Sequence, residues 1–424
     1  MNHSKLHRAV ATAALIAAAA GTTRASCPYN LDPIAPAVES FLANNPQIPG
    51  INIRLQRGAV VLYERSFGTY TIDTVVPIAS ATKWIAGAVI MALVDDGTWT
   101  LDDTLGTYLP SFSQGLEAQI TIRQAFAHTS GLPANNGTGL DDCNPCLNER
   151  FGVTLQQCAG EIGAVGLRTD AQGSKVVPGS EFGYGGCSMQ AAGAAAEIAA
   201  ATPWNLLFSQ KVRMPLGMTS MSFGPGTNPR IAGGISSNLR DYARFLEMLV
   251  NNGMFNGQQV LSQESVAAML DEQTNDAPVF YVPPVAEPFV GYGVGNWTNY
   301  EGQAQAAGVT LQSSSEGAFG FSPWIDRRRR SLGVFLVQDQ NTRVRPLVEF
   351  VQTQLRWALD TSPDVSGDGA VNFQDITRVL ANFGRPSFLS DPQGPGPVGD
   401  CDLSGFVDFG DVTIILSRLG QSCS

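Results

Sequence analysis

Residues 77–84 read Pro-Ile-Ala-Ser-Ala-Thr-Lys-Trp and lead directly into an apolar stretch, residues 85–94, that predicts a helix. Ser80 and Lys83 stand three positions apart, so on the first turn of this helix their side chains share one face. A serine hydroxyl becomes a strong nucleophile only when a neighbouring group removes its proton, which an amine of lowered pKa can do. The same spacing also fits a helix-capping serine followed by a solvated lysine.

The composition is that of a globular protein long enough for more than one domain. The 424 residues are 44% hydrophobic and 15% charged, and the formal net charge is -11. No long basic run is present, so nucleic acid is not expected as a partner. We expect the short run from Arg327 to Arg330 to form a solvated turn between two strands.

The N-terminus has the pattern of a secretory signal peptide. Lys5 and Arg8 form a positive segment, residues 9–20 are apolar, and small residues follow through Ala25-Ser26. We therefore expect residues 1–25 to be a signal peptide and the protein to be secreted, periplasmic or on the cell surface. No stretch is long enough to predict a transmembrane segment.

Export predicts an oxidising compartment, in which cysteines form disulfides. The seven cysteines are an odd number, so one is expected to be free or paired between chains. The spacing of Cys143 and Cys146 is that of a zinc knuckle, but no histidine or second cysteine pair lies nearby. The expected disulfides therefore involve Cys143, Cys146 and Cys158, with Cys401 paired to Cys423 and Cys187 buried or bridged.

Histidine is scarce in this chain. His3 and His7 belong to the predicted signal peptide, which leaves His128 alone in the mature protein. A Ser-His-Asp triad would have to use His128, and no Gly-x-Ser-x-Gly motif is present. The sequence thus favours a serine assisted by lysine or tyrosine, and we expect His128 to pack within its loop.

Strand patterns lie near both ends of the main part of the chain, and helical patterns lie between them. Residues 50–70 predict a β-hairpin that turns at Arg57-Gly58. Between the ends, Asn135 to Gly173 is expected to run over the surface. The remaining elements are helices at 120–127, 189–200, 203–212, 239–251 and 344–359, and strands at 318–324 and 332–338. This order predicts an α+β domain whose terminal strands share one antiparallel sheet, with the active site in the seam beside the helices.

Six motifs, in this order, resemble those of the β-lactamase-related serine hydrolases, which comprise class C β-lactamases, D-alanyl-D-alanine carboxypeptidases and their esterase relatives. They are residues 78–83, 127–133, 178–184, 215–218, 233–237 and 317–321. The resemblance covers about Pro46 to Leu359. It implies a sheet flanked by helices plus a helical subdomain, in a domain that we place at residues 26–360.

This resemblance implies roles for particular residues. Ser80 is the implied nucleophile of an acyl-enzyme mechanism, Lys83 its proton partner, and Tyr184 a general base or acid near the lysine. Gly317 matches the glycine of the family's Lys/His-Thr/Gly-Gly strand. The implied oxyanion hole is the backbone N–H of Ser80 and of Ala318. No cofactor is implied for catalysis.

Two positions depart from the family pattern. Gly186 replaces the asparagine of Tyr-x-Asn, and Ser315-Glu316 replaces the Lys-Thr or His-Thr pair. In the family that cation helps to bind the carboxylate of β-lactams and peptides, whereas Glu316 would repel a carboxylate. We therefore expect the substrate to be a neutral ester or amide, either a small molecule or a peptide, with esters favoured over β-lactams and D-alanyl peptides. The alternative is a catalytically degenerate protein that binds or scaffolds through its tail.

The tail, residues 361–424, contains one pattern twice. Each copy places oxygen-bearing residues at positions 1, 3, 5 and 12 of a loop, with glycine at position 6 and a backbone carbonyl at position 7, which is what a calcium loop needs. An apolar helix follows each loop. The predicted ligands are Asp364, Ser366, Asp368, Ala370 and Asp375 in the first loop, and Asp400, Asp402, Ser404, Phe406 and Asp411 in the second.

These loop–helix repeats resemble a type I dockerin over about Asp364 to Gly420. The resemblance implies a small α-helical domain with structural calcium and a cohesin-like protein as its partner. Between the repeats, the proline-rich segment Pro386 to Gly399 is expected to be extended. The alternative interpretation is a pair of Asp- and Gly-rich turns that bind no metal.

Overall fold

The computed structural model describes residues 29–135, 146–287, 291–299, 312–385, 399–402, 404 and 406–422. Its strands are β1 (Gly50–Arg57), β2 (Val60–Gly68), β3 (Val76–Pro77), β4 (Phe182–Gly183), β5 (Ser236–Ser237), β6 (Met254–Phe255), β7 (Gln258–Gln259), β8 (Val279–Tyr281), β9 (Gly291–Tyr292), β10 (Trp297–Asn299), β11 (Gln312–Ser314), β12 (Ser322–Asp326) and β13 (Ser331–Leu336). Its helices are α1 (Ile34–Asn44), α2 (Thr82–Asp95), α3 (Leu105–Tyr108), α4 (Ile122–Phe126), α5 (Leu155–Val165), α6 (Cys187–Ala199), α7 (Trp204–Phe208), α8 (Leu239–Val250), α9 (Gln263–Leu270), α10 (Asn341–Asp360), α11 (Phe373–Ala381) and α12 (Phe409–Ser417). Within these ranges, no helix has the combined length and apolar character that crossing a bilayer requires.

A seven-stranded sheet in the order β2-β1-β13-β12-β11-β10-β9 forms the centre of the main domain. Its neighbouring strands are antiparallel, and Ile53 of the N-terminal hairpin lies opposite Phe335 of β13. The hairpin turns between Arg57 and Val60, as the alternating pattern predicted. The α+β arrangement, with strands from both ends of the domain in one antiparallel sheet, is thereby confirmed.

Each face of the sheet is covered by helices because the strands alternate their side chains between two faces. Along β13, Phe335 packs with the apolar sides of α1 and α10 in one core. Leu332, Val334 and Leu336 pack on the opposite side, in a larger core that contains α2 and α8. Helix α2 is therefore fixed against the sheet at the point where its N-terminus presents Ser80.

The helical region is larger than the sequence predicted. The stretch expected to run over the surface contains α5, which begins at a capping box between Thr154 and Gln157. Leu155, Cys158 and Ile162 of this helix are buried, because its apolar side packs in the core with α6. The rest of that prediction, residues 136–145, lies outside the described residues.

Two further predictions are corrected near the end of the domain. The strand expected from Ala318 begins only at Ser322, because Gly320 N donates to Gly317 O and closes a turn. The arginine run is not a uniformly solvated turn, since Arg329 is 2% exposed. Its guanidinium bonds to Asp326 at 2.7 Å and to both carboxylate oxygens of Asp360 at 2.7 and 2.9 Å.

The cysteines follow the predictions in part. Cys146 and Cys158 form a disulfide with a Cα–Cα distance of 5.4 Å, so Cys146 has no thiolate to offer a zinc ion. Cys187 is also disulfide-bonded. The predicted pairing of Cys401 with Cys423 is wrong: Cys401 is a free, buried thiol whose Sγ lies 3.4 Å from Ser362 O inside the tail. Cys143 and Cys423 themselves lie outside the described residues.

The tail has an apolar core of its own. Val365, Val371, Val379, Val407 and Ile415 form it, with Cys401 among them. Helices α11 and α12 each begin with the same capping box, Asn372 with Asp375 and Asp408 with Asp411. The duplicated sequence pattern therefore folds as two copies of one loop–helix unit.

Candidate active site

Ser80 lies in a short 3-10 turn, Ala79–Ala81, immediately before α2. Ala79 has a positive φ of 45°, a conformation that costs a non-glycine residue about 1 kcal/mol and occurs often at functional sites. The turn is held from two sides, since Ser315 Oγ donates to Ser80 O at 3.2 Å and Tyr242 Oη donates to Ala81 O at 2.8 Å. The hydroxyl at position 80 is therefore presented by a firmly anchored backbone.

Lys83 contacts Ser80 in the way that the three-residue spacing predicts. Its Nζ donates to Ser80 Oγ at 3.1 Å and to Ala232 O at 2.9 Å. The side chain is 4% exposed, so the solvated-lysine interpretation is excluded. Ala232 immediately precedes the 233–237 motif, whose backbone thus helps to hold the amine beside the serine.

Tyr184 comes to the same place from a distant segment of the chain. Its ring centroid lies 4.6 Å from Lys83 Nζ, a cation–π distance. The Tyr184 ring also stacks on Trp297, with the two ring centroids 4.9 Å apart and an interplanar angle of 21°. The three residues that the sequence proposed for catalysis are therefore brought together.

His128 packs against Tyr184 in a group of aromatic rings that the sequence did not predict. We call this group, Tyr184, His128, Tyr292 and Trp297, the aromatic wall. Its ring lies 4.6 Å from Tyr184, 4.8 Å from Tyr292 and 5.8 Å from Phe182. Burial, and secondarily the charge of Lys83, holds the pKa of His128 well below its usual 6.5, so the imidazole is neutral. Neither ring nitrogen has a hydrogen-bond partner among the described residues. Such a neutral ring packs against Tyr184 without adding a second cation near Lys83.

The backbone next to Gly317 closely approaches the Ser80 turn. A Cβ atom at Gly317 would lie 2.3 Å from Ile78 O, so only glycine permits this contact. Ala318 is exposed, and within the described ranges its N–H has no backbone acceptor. This N–H is thus available to an oxyanion, as the resemblance implied.

Ser315 and Glu316, which replace the family's Lys-Thr or His-Thr pair, have different surroundings, and Ser315 is the one bonded to Ser80 O. Glu316 lines a cavity of about 250 Å³ between the sheet and α10, together with Trp297, Trp324 and Arg345. Burial raises the pKa of Glu316 above its usual value, against the opposing effects of the Ser314 hydroxyl and Arg345. The residue of this pair that contacts the backbone of Ser80 is therefore Ser315, which is neutral.

The other departure from the family pattern, Gly186, has a simple structural outcome, and Tyr292 is a residue of the site that no sequence motif singled out. Gly186 is the N-cap of α6 and provides no side chain beside Tyr184. Tyr292, which packs in the aromatic wall, has a pKa raised well above 10, first by burial and then by Tyr184, Glu316 and Tyr242. It therefore stays a neutral phenol.

Comparison with known proteins gives the family. Residues 35–352 match the Beta-lactamase family, which is three quarters of the chain. A protein assigned as a beta-lactamase in Bacteroides dorei DSM 17855 has a solved structure that is 30% identical, with a TM-score of 0.66, covering 77% of this chain and 99% of that one. The chain therefore belongs to the beta-lactamase family of serine hydrolases.

Two further relatives have different activities. EstCE1, a hydrolase with promiscuous acyltransferase activity, shares the fold at 20% identity and a TM-score of 0.58, covering 77% of this chain and 98% of that one. The D-alanyl-D-alanine-carboxypeptidase/endopeptidase AmpH of Escherichia coli (strain K12) is 28% identical over 157 residues, which is 36% of this chain and 38% of AmpH. The chain thus spans little more than a third of the length of the curated relatives it matches.

The second loop of the tail brings its acidic residues together. One carboxylate oxygen each from Asp400, Asp402 and Asp411 lies within 4.8 Å of the others. Ser404 Oγ donates to Phe406 O at 3.1 Å, so the two other predicted ligands of this loop contact each other. Burial raises the pKa of Asp411 above its usual value. A hard cation such as Ca²⁺ fits this oxygen-only set and would compensate its buried negative charge.

Proposed function

We propose that this protein is an exported serine hydrolase that cleaves esters or neutral amides through an acyl-enzyme on Ser80. The observation that carries the proposal is the 3.1 Å contact between Lys83 Nζ and Ser80 Oγ. The same Nζ atom lies 4.6 Å from the centroid of the Tyr184 ring. A helix-capping serine with a solvated lysine would not bury the amine. Membership of the beta-lactamase family supports the same assignment.

The proposed reaction uses each of these groups once in acylation. Ser80 Oγ attacks the substrate carbonyl carbon, and its proton passes to the neutral Lys83 amine or to an ionised Tyr184. The carbonyl oxygen becomes an oxyanion that the N–H groups of Ser80 and Ala318 stabilise. Collapse of the tetrahedral intermediate breaks the bond to the alcohol or amine, which leaves with that proton. Water then repeats the sequence and releases the acid.

The preference for uncharged substrates rests on Ser315. This residue occupies the position of the family's carboxylate-binding cation and offers only a hydroxyl, which is already bonded to Ser80 O. A substrate carboxylate would therefore find no counter-charge from this strand. The esterase-type relative and the D-alanyl carboxypeptidase relative show that both substrate classes occur on related chains.

Covalent labelling tests the nucleophile. A fluorophosphonate probe should label the full-length protein, Ser80→Ala should not be labelled, and Ser130→Ala, which removes another buried hydroxyl, should be labelled normally. A panel of short-chain p-nitrophenyl esters, a chromogenic β-lactam and a D-alanyl peptide then tests the substrate class. Higher kcat/KM for the β-lactam than for the esters would contradict the ester preference. Absence of labelling would favour a degenerate scaffold protein.

We further propose that the tail binds calcium as a structural ion and attaches the enzyme to a cohesin-like protein. The clustered carboxylates of the second loop support the calcium part. Calcium should slow amide hydrogen exchange in residues 400–411 of the full-length chain, and Asp411→Asn should weaken that response. No change in exchange at millimolar calcium would contradict the metal site.

A further inference from the structure

The first loop of the tail, residues 364–375, is packed against the main domain. Arg57, at the end of β1, donates from Nη1 to Asp364 O at 2.6 Å and to Tyr29 Oη at 3.1 Å. Tyr29 Oη in turn donates to Asp364 Oδ2 at 2.6 Å. We call these three residues the docking contact. They join the start of the described chain, the β1–β2 hairpin and the tail.

Glycines allow the loop to approach this closely. A Cβ atom at Gly367 would lie 2.7 Å from the Arg57 guanidinium carbon, and one at Gly369 would lie 2.9 Å from a Val60 methyl group. Asp364 is fully buried and Val365 is 3% exposed. The contact is therefore a packed interface rather than a chance approach of two surface loops.

The Asp364 carboxylate is already surrounded by donors. Besides Tyr29 Oη, it accepts from Gly367 N at 2.7 Å, from Gly369 N at 2.9 Å and from Ser366 Oγ at 3.2 Å. A buried carboxylate is stable only when it is compensated in this way. Asp364 is the residue at position 1 of the loop, whose carboxylate would coordinate a bound cation. The hydrogen bond from Tyr29 therefore occupies a carboxylate oxygen that the cation would need.

The two loops differ in how closely their carboxylates approach one another, since among the described residues only the second loop brings three carboxylate oxygens within 4.8 Å of one another. In the first loop, the Asp368 carboxylate accepts from Ala370 N at 2.9 Å and from Asn372 Nδ2 at 3.0 Å. In the second loop, three carboxylate oxygens converge. Among the described residues, the Arg57 guanidinium of the main domain contacts the first loop and not the second. The sequence repeat is therefore used in two ways, with one copy held by the main domain.

We propose that docking of the tail on the main domain and calcium binding in the first loop oppose each other, while the second loop binds calcium independently of docking. The calcium part rests on the proposed function of the tail. The reason is electrostatic and steric, because the Arg57 cation repels a divalent ion and Tyr29 occupies Asp364. The two equilibria are linked. If docking lowers the calcium affinity of the first loop by some factor, then calcium bound there lowers the equilibrium constant for docking by the same factor.

Hydrogen exchange of the full-length protein, followed by mass spectrometry during a CaCl₂ titration, tests this proposal. The variants are Arg57→Ala, Tyr29→Phe and Arg65→Ala. Arg65 is the matched control, since it is on the same hairpin and forms a surface ion pair with Glu39, away from the tail. Peptides covering 364–375 and 400–411 report the two loops separately, and Tyr29→Phe, a conservative change, covers the case in which Arg57→Ala fails to fold.

Without calcium, Arg57→Ala should speed exchange in the first loop about tenfold and leave the second loop unchanged, while Arg65→Ala should match the wild type. With calcium, the first-loop midpoint should move to about tenfold lower concentration in Arg57→Ala, and less far in Tyr29→Phe. Wild-type exchange in the first loop of Arg57→Ala would overturn the docking. An unmoved or higher midpoint there would overturn the competition. If the second loop still responds to calcium in that case, the proposed calcium module stands without this inference.

Discussion

Replacing Gly317 by alanine should damage catalysis more than stability. The new Cβ atom would lie 2.3 Å from Ile78 O and 3.2 Å from the Ile78 carbonyl carbon. Both neighbours are backbone atoms, so no side-chain rotation can relieve the clash. The strand segment that contains Ala318 must instead move away from the turn that contains Ser80.

The size of the effect follows from this distance. Ordinary contact between a methyl group and a carbonyl oxygen requires a separation of about 3.2 Å, so the two segments must part by roughly 1 Å. The two proposed oxyanion donors stand on these two segments. A misplacement of this size costs about 10²-fold in rate, and complete loss of one donor costs about 10²–10³-fold. The expected cost in unfolding free energy is about 1–3 kcal/mol.

Steady-state hydrolysis of a p-nitrophenyl ester measures kcat and KM, and thermal unfolding measures stability. Gly160→Ala is the matched control, because Gly160 lies inside α5 and no atom would be within 4 Å of its new methyl group. That variant should keep full activity and gain up to about 1 kcal/mol of stability. Wild-type kcat in a folded Gly317→Ala protein would refute the assignment of Ala318 to the oxyanion hole.

Four further predictions concern the residues around the site and the core. Lys83→Met, which keeps the buried stem but removes the amine, should lower kcat about 10³-fold and abolish fluorophosphonate labelling, whereas Lys175→Met on the surface should not. The pKa of His128 is lower in the folded protein than in the unfolded chain, where a histidine pKa is near 6.5, so on acidification the unfolded chain binds the proton at a higher pH than the folded protein does. The free energy of unfolding should therefore fall as the pH drops below 6.5, by up to about 1.4 kcal/mol per pH unit. His128→Asn should flatten the pH dependence of the melting temperature between pH 6.5 and 5. Reduction of the Cys146–Cys158 disulfide should cost about 3 kcal/mol in a denaturant titration, and an unchanged midpoint would contradict this. Arg329→Ala should cost about 3–5 kcal/mol because it removes a buried guanidinium that is paired with the buried Asp326 carboxylate, whereas the more exposed Arg327→Ala should cost under about 1 kcal/mol.

The sequence predicted well whatever depends on local spacing. Ser80 and Lys83 are one helical turn apart, so their contact needs only α2 to form. The hairpin at Arg57 and the helix that follows each loop of the tail are local in the same sense, and they form as predicted. Arg329 shows the limit. Its burial depends on Asp360, 31 positions away, and four consecutive arginines give no sign of which one turns inward.

The resemblance placed Tyr184 near Lys83, but the other rings of the site's aromatic wall could not be predicted, for the same reason. Tyr184, His128, Tyr292 and Trp297 come from three separate segments, and each is an ordinary core residue by its own sequence context. Burial keeps the His128 imidazole and the Tyr292 phenol uncharged, so these two rings, which pack on Tyr184, add no charge near the Lys83 amine. The amine itself is held by hydrogen bonds to Ser80 Oγ at 3.1 Å and to Ala232 O at 2.9 Å. A buried amine within hydrogen-bond distance of a hydroxyl can exchange a proton with it, which is why this arrangement suits acyl transfer better than a structural role.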